Sequence, residues 1–101
     1  MEKPVILKQK EIRENLKSIP GWKFKKNKIY KEFKFKDFLD SLRFVKKLTP
    51  FFQSHDHHPD THIFYNRVLF ELQRFDIGGK VTDRDFMVAR KIEKEYKNRK
   101  S

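Results

Sequence analysis

The sequence predicts an α+β sandwich, a four-stranded antiparallel sheet with three helices gathered on one face, in the order αββαββα. Three observations carry this reading. Short runs that alternate apolar and polar residues come in two neighbouring pairs. Stretches with helical spacing precede, separate and follow those pairs. No Gly-rich phosphate loop, repeat or linker divides the 101 residues, so the chain reads as one domain, 1–101.

Ile12, Leu16 and Ile19 recur at helical spacing among charged residues, so Gln9 to Ser18 is an amphipathic helix. Pro20-Gly21 stops it. Trp22 to Lys25 alternates, Lys26-Asn27 supplies a turn, and Lys28 to Phe35 alternates again with Ile29, Phe33 and Phe35 on one parity. That is a hairpin. From Lys36 the period lengthens, and Phe38, Leu42, Val45 and Phe52 are expected on one buried helical face, joined by Leu39 and Leu48. Asp37 and Asp40 suit that helix's positive end. Pro50 predicts a kink or a restarted segment carrying Gln53 to His57, because proline lacks a donor and crowds the preceding turn. Pro59 ends the segment.

Thr61 to Asn66 and Arg67 to Phe75 read as strands rich in aromatic and β-branched residues. The second sends Val68, Phe70 and Leu72 one way and Leu69, Glu71, Gln73 and Phe75 the other. Asp76-Ile77-Gly78-Gly79 breaks it. Thr82, with Asp85 three residues on, opens the last helix as a capping box, and Phe86, Ala89, Ile92 and Tyr96 line its buried side.

Composition narrows the function. Eleven phenylalanines build the core from large rings, and at this size oligomerisation would bury more apolar surface, with the open sheet edge as a place for subunits to pair. The absence of cysteine excludes disulfides and thiol chemistry. No apolar run reaches membrane-spanning length and Met-Glu-Lys-Pro lacks a signal-peptide core, so a soluble cytoplasmic protein is expected, without a membrane role. A formal charge of +11 would attract polyanions. Its lysines are spread along the chain, however, so the charge is taken as solubility and heat adaptation rather than nucleic-acid binding.

Gln53 to Asp60 holds three of the four histidines within four residues, followed by a proline. A His57-His58 pair beside a carboxylate suits proton transfer, because imidazole gives and takes a proton near neutrality. Two other readings stand beside it. Histidines at a helix end complement the negative end of the dipole, and His-x-His-His with Asp56 and Asp60 offers metal-ligand atoms, although residues so close together on a helix do not converge.

With this order of elements and the His57-His58-Pro59 placement, the chain resembles the pterin-4a-carbinolamine dehydratase family over nearly its whole length. The likeness rests on Gly21-Trp22, Ile29 to Phe38, Asp56-His57-His58-Pro59, Tyr65-Asn66-Arg67-Val68, Asp76-Ile77-Gly78-Gly79 and Thr82-Asp83-Arg84-Asp85-Phe86. The resemblance implies three helices on one face of a four-stranded sheet, homodimers or homotetramers, and dehydration of a 4a-hydroxytetrahydropterin of the tetrahydrobiopterin type to the quinonoid dihydropterin. No metal or cofactor is implied. Such an elimination protonates the departing hydroxyl and removes a proton from the ring system.

By the same resemblance His57 is the acid–base residue and His58 its pterin-holding neighbour. Gln53, Asp56, Pro59, Trp22, Gln73, Arg74, Phe75 and Asp85 stand at pterin-binding positions. The chain departs from the family at four of these. Phe75 occupies the place of a third histidine and cannot transfer a proton; Gln53 replaces an acidic residue; Gln73-Arg74 replaces small hydroxyl residues. The expectation is a dehydratase slowed by Phe75, with His55 or His62 as conceivable stand-ins. Asp85 either faces the pterin or only caps its helix. The alternative is a module of the same fold that binds a pterin or a protein partner without catalysis, since family members are known as coactivators.

Overall fold

The computed structural model describes residues 5–73 and 80–99. Arg74, Phe75, the Asp76-Ile77-Gly78-Gly79 turn and the last two residues lie outside them. The elements are α1 (Gln9–Leu16), β1 (Lys23–Lys25), β2 (Lys28–Lys34), α2 (Phe38–Ser54), β3 (Asp60–Phe64), β4 (Arg67–Leu72) and α3 (Asp83–Asn98). The strands form one antiparallel sheet in the order β1-β2-β4-β3. This is the expected α+β architecture.

Alternation sets the sheet's two faces. Ile29 and Phe33 of β2 and Val68, Phe70 and Leu72 of β4 turn inward and are buried with Ile12, Ile19, Phe44, Phe52, Phe86, Ala89 and Ile92 from the helical layer. Phe33 is the hub: Trp22, Phe44, Phe70 and Tyr96 surround it with ring centroids 4.8–6.2 Å away, three of them edge-on. Edge-on pairs each add about 0.5–1.5 kcal/mol beyond their buried area.

The β1–β2 hairpin pairs Lys25 with Lys28, which leaves a two-residue turn. Lys26 and Asn27 take φ of 54° and 62°, the left-handed pair that suits the strands' twist. Asn27 adopts this readily, whereas Lys26 pays a steric cost. Gly21 has φ 93°, and a Cβ there would stand 3.0 Å from the Lys31 stem, so both conformation and space call for glycine.

Of the two alternatives at Pro50 the restart is excluded, because Pro50 lies inside α2, which continues to Ser54. The expected buried face is corrected. The buried face is Ser41, Phe44, Leu48 and Phe52, while Phe38, Leu39 and Leu42 are exposed. A serine is buried because its hydroxyl lies 3.1 Å from the Tyr65 carbonyl in the β3–β4 turn and 3.1 Å from that of Asp37, which brings the helix start close to the sheet. Among the described residues, no helix is long and apolar enough to cross a membrane.

Candidate active site

The ending of α2 places His57. Beyond Ser54 the chain passes through His55 and reverses at Asp56, with φ 48°. The Asp56 N–H then donates to the Gln53 carbonyl at 3.2 Å, and the His57 N–H to that of Phe52 at 3.1 Å. This is the Schellman pattern, with the left-handed residue just past the helix. It carries His57 back beneath the helix, where it is buried beside Phe52.

The start of α3 supplies its partner. The N-terminal segment pairs with the strand-like residues before α3: Leu7 N–H donates to Val81 O at 3.0 Å and Asp83 N–H to Val5 O at 3.1 Å. Thr82, held there, caps the helix. Asp85, fully buried, accepts the Thr82 N–H on Oδ2 at 2.8 Å, and its Oδ1 lies 2.5 Å from Nε2 of His57. The capping reading of Asp85 therefore holds for one oxygen, while the other holds the imidazole. A carboxylate on Nε2 favours the tautomer with its proton on that nitrogen and leaves Nδ1 with the lone pair.

The other expected site residues divide. His58 is exposed and its Nε2 lies 2.8 Å from Oε1 of Gln53, so neighbouring histidines point apart, one inward and one to the surface. Asp56 is exposed in the reversal and Pro59 is buried just before β3. Gln73 is partly buried just past β4, and Arg74 and Phe75 lie outside the described residues. His55 stacks on Phe51 with centroids 4.2 Å apart, and exposed His62 meets Glu71 at 2.9 Å. Neither is bonded to His57 or Asp85. Among the described residues no three His, Asp or Glu side chains converge to hold a metal ion.

Trp22 stands elsewhere. Its indole N–H donates to Glu93 at 2.9 Å, two helical turns beyond Asp85 and so about 12 Å along α3. Lys31 donates to the same Glu93 oxygen and to the Pro20 carbonyl. Glu93 was not singled out from sequence, where it is one charge among several on a charged helix. The single tryptophan, which needs an acceptor when buried, was the signal that pointed to it. A hollow of about 680 Å³ opens around the β1–β2 hairpin, and neither His57 nor His58 lines it.

Residues 5–95 match the family model described as pterin 4 alpha carbinolamine dehydratase. A Sulfolobus acidocaldarius protein named for pterin-4-alpha-carbinolamine dehydratase is 47% identical over 88 residues, which cover 87% of this chain and 96% of its own. One of the same name from Prochlorococcus marinus is 33% identical over 93 residues, covering 92% and 96%. The crystal structure of a transcriptional coactivator/pterin dehydratase from Brucella melitensis superposes with a TM-score of 0.82 at 32% identity, over 88% of this chain and 96% of that one. With one fold, one order of elements and a family model spanning nearly all of its residues, the chain belongs to the pterin 4 alpha carbinolamine dehydratase family.

Proposed function

We propose that this protein dehydrates a 4a-hydroxytetrahydropterin to the quinonoid dihydropterin, with His57 moving the proton and Asp85 holding its ring. The observation that carries the reading is the buried His57–Asp85 pair at 2.5 Å, in a chain of this family. In the elimination the C4a–O bond breaks, the hydroxyl leaves as water, and N5 gives up its proton as the N5–C4a double bond forms. One proton is taken and one delivered. An imidazole held by Asp85 through Nε2 can do both in turn through Nδ1, which accommodates Phe75 where a second proton carrier would stand. The rate is then lower by the roughly 10²- to 10⁴-fold that one further acid–base group contributes. His58 and Gln53, bonded to each other at the surface, offer polar atoms for the pterin's edge.

The test follows quinonoid product by absorbance from a freshly generated carbinolamine. The protein accelerates its appearance above the spontaneous rate, and His57→Ala removes most of that acceleration, about 10²-fold or more. Equal rates for the two proteins would sink the assignment.

A second reading is docking of a protein partner or a second copy. It is favoured by the exposed Phe38, Leu39 and Leu42 at the start of α2 beside Tyr65, which is 68% exposed, and by the coactivator description of the Brucella protein. Light scattering of the protein and of Leu39→Asp/Leu42→Asp distinguishes self-association, which the variant abolishes.

A further inference from the structure

The first hairpin carries Lys23, Lys25, Lys26 and Lys28 within six residues. On the side of the sheet away from the core, the register sets Lys23 beside Tyr30, Lys25 beside Lys28, Tyr30 beside Glu71 and Glu32 beside Leu69. With Lys26 of the turn, these residues surround the hollow of about 680 Å³. Tyr30 and Leu69 are half-buried within it, while Lys23, Lys25, Lys26 and Glu32 are exposed.

The two carboxylates beside the hollow are already engaged, while exposed Asp60 lies on the same face at the far strand β3. Glu71 binds Lys28 and His62, and Glu32 binds Arg67. Lys23, Lys25 and Lys26 have no carboxylate partner among the described residues, so three cations on one hairpin remain unneutralised. Further across the same face, exposed Phe64 stacks with His62, their planes 15° apart.

From this arrangement we infer that the open face of the sheet binds single-stranded nucleic acid. The unpaired lysines follow the phosphates, and Tyr30, with His62 and Phe64 beyond it, offers rings for bases to stack on. Side chains two apart on one strand face recur about every 6.6 Å, a step that suits successive phosphates of an extended strand. Lysine ammonium groups are point charges that contact backbone rather than read base edges, so binding is indifferent to sequence and to the sugar. A duplex keeps its bases stacked away from a tyrosine set in a hollow and binds less well. The histidine site lies on the core side of the sheet, so this surface is separate from it.

The experiment is fluorescence anisotropy of a labelled mixed-sequence RNA of about 12 nucleotides, within the range that one small domain covers. A DNA strand of the same sequence and its duplex serve as further arms. Three lysines that each neutralise one phosphate give a salt slope near −2, so affinity falls about twenty-fold between about 50 and 200 mM salt. Lys23→Glu/Lys25→Glu/Lys26→Glu brings that slope close to zero. Lys10→Glu/Lys94→Glu/Lys97→Glu, an equal change of charge on α1 and α3, leaves most of it. Tyr30→Leu weakens binding by about five-fold or more at fixed salt. The inference is overturned if the duplex binds as tightly as the single strands, if the control triple variant loses as much as the hairpin variant, or if Tyr30→Leu changes nothing. Melting temperatures of all variants are compared first, so that a loss of fold is not read as a loss of site.

Discussion

Asp85 and Glu93 stand two turns apart on α3, both turned inward, and each holds the nitrogen of an aromatic ring. Asp85 bonds the Thr82 N–H and the His57 imidazole; Glu93 bonds the Trp22 indole and the Lys31 ammonium. The difference lies in the partners. Indole and ammonium nitrogens only donate, so the Glu93 cluster is a fixed set of bonds that ties β2 to α3. An imidazole has a second ring nitrogen able to accept, so the Asp85 cluster holds a group that can pass a proton on. A buried carboxylate does not by itself mark chemistry; its partner decides.

Substitutions at the two acids sharpen that contrast. Asp85→Asn is expected to have the largest effect, lowering dehydration about 10- to 100-fold, as loss of an orienting carboxylate commonly does. It also weakens the cap, by about 1 kcal/mol. Glu93→Ala leaves the Trp22 N–H and Lys31 without their acceptor and costs about 1–3 kcal/mol, a fall of roughly 4–8 °C in Tm per kcal/mol. Its dehydration rate at 25 °C is unchanged. If both variants lost turnover in the same proportion, the contrast would fail.

The smallest effect belongs to Glu71, on the outer face of the sheet. The Lys28 ammonium bonded to it, aided by the His62 ring and opposed by partial burial, holds its carboxyl below the usual 4.5. A lowered folded-state value stabilises the fold above the ordinary one, and this contribution is lost as pH falls through the lowered value. Glu71→Gln has no such loss, so its urea midpoint declines less steeply below about pH 4.5 than that of the parent chain.

The hairpins, the order of elements and the inward residues of α3 were legible because alternation and helical spacing are local properties. The face of α2 was not. Phe38, Leu39, Leu42, Phe44, Val45, Leu48, Phe51 and Phe52 cover more than half its circumference, so spacing alone does not say which part meets the sheet. Buried Ser41, bonded across to the β3–β4 turn, settles the rotation, and nothing in the sequence announces that bond. At the candidate site, the histidines and Asp85 were legible as residue types. Their sorting was not, because it depends on the left-handed turn at Asp56, which sends His57 inward and leaves His58 outside. Trp22 was expected at a pterin-binding position, and its bond to Glu93 was not legible because that partner is remote in sequence. The lysines of the first hairpin were discounted as part of a charge spread along the chain, and strand pairing shows which of them share the outer face with Tyr30.

Since one carboxylate both begins α3 and fixes the imidazole, unwinding of the first helical turn and release of the ring are a single event. Helix ends open at temperatures where a paired sheet still holds. Warming this chain is therefore expected to release His57 while β2 and β4 remain zipped.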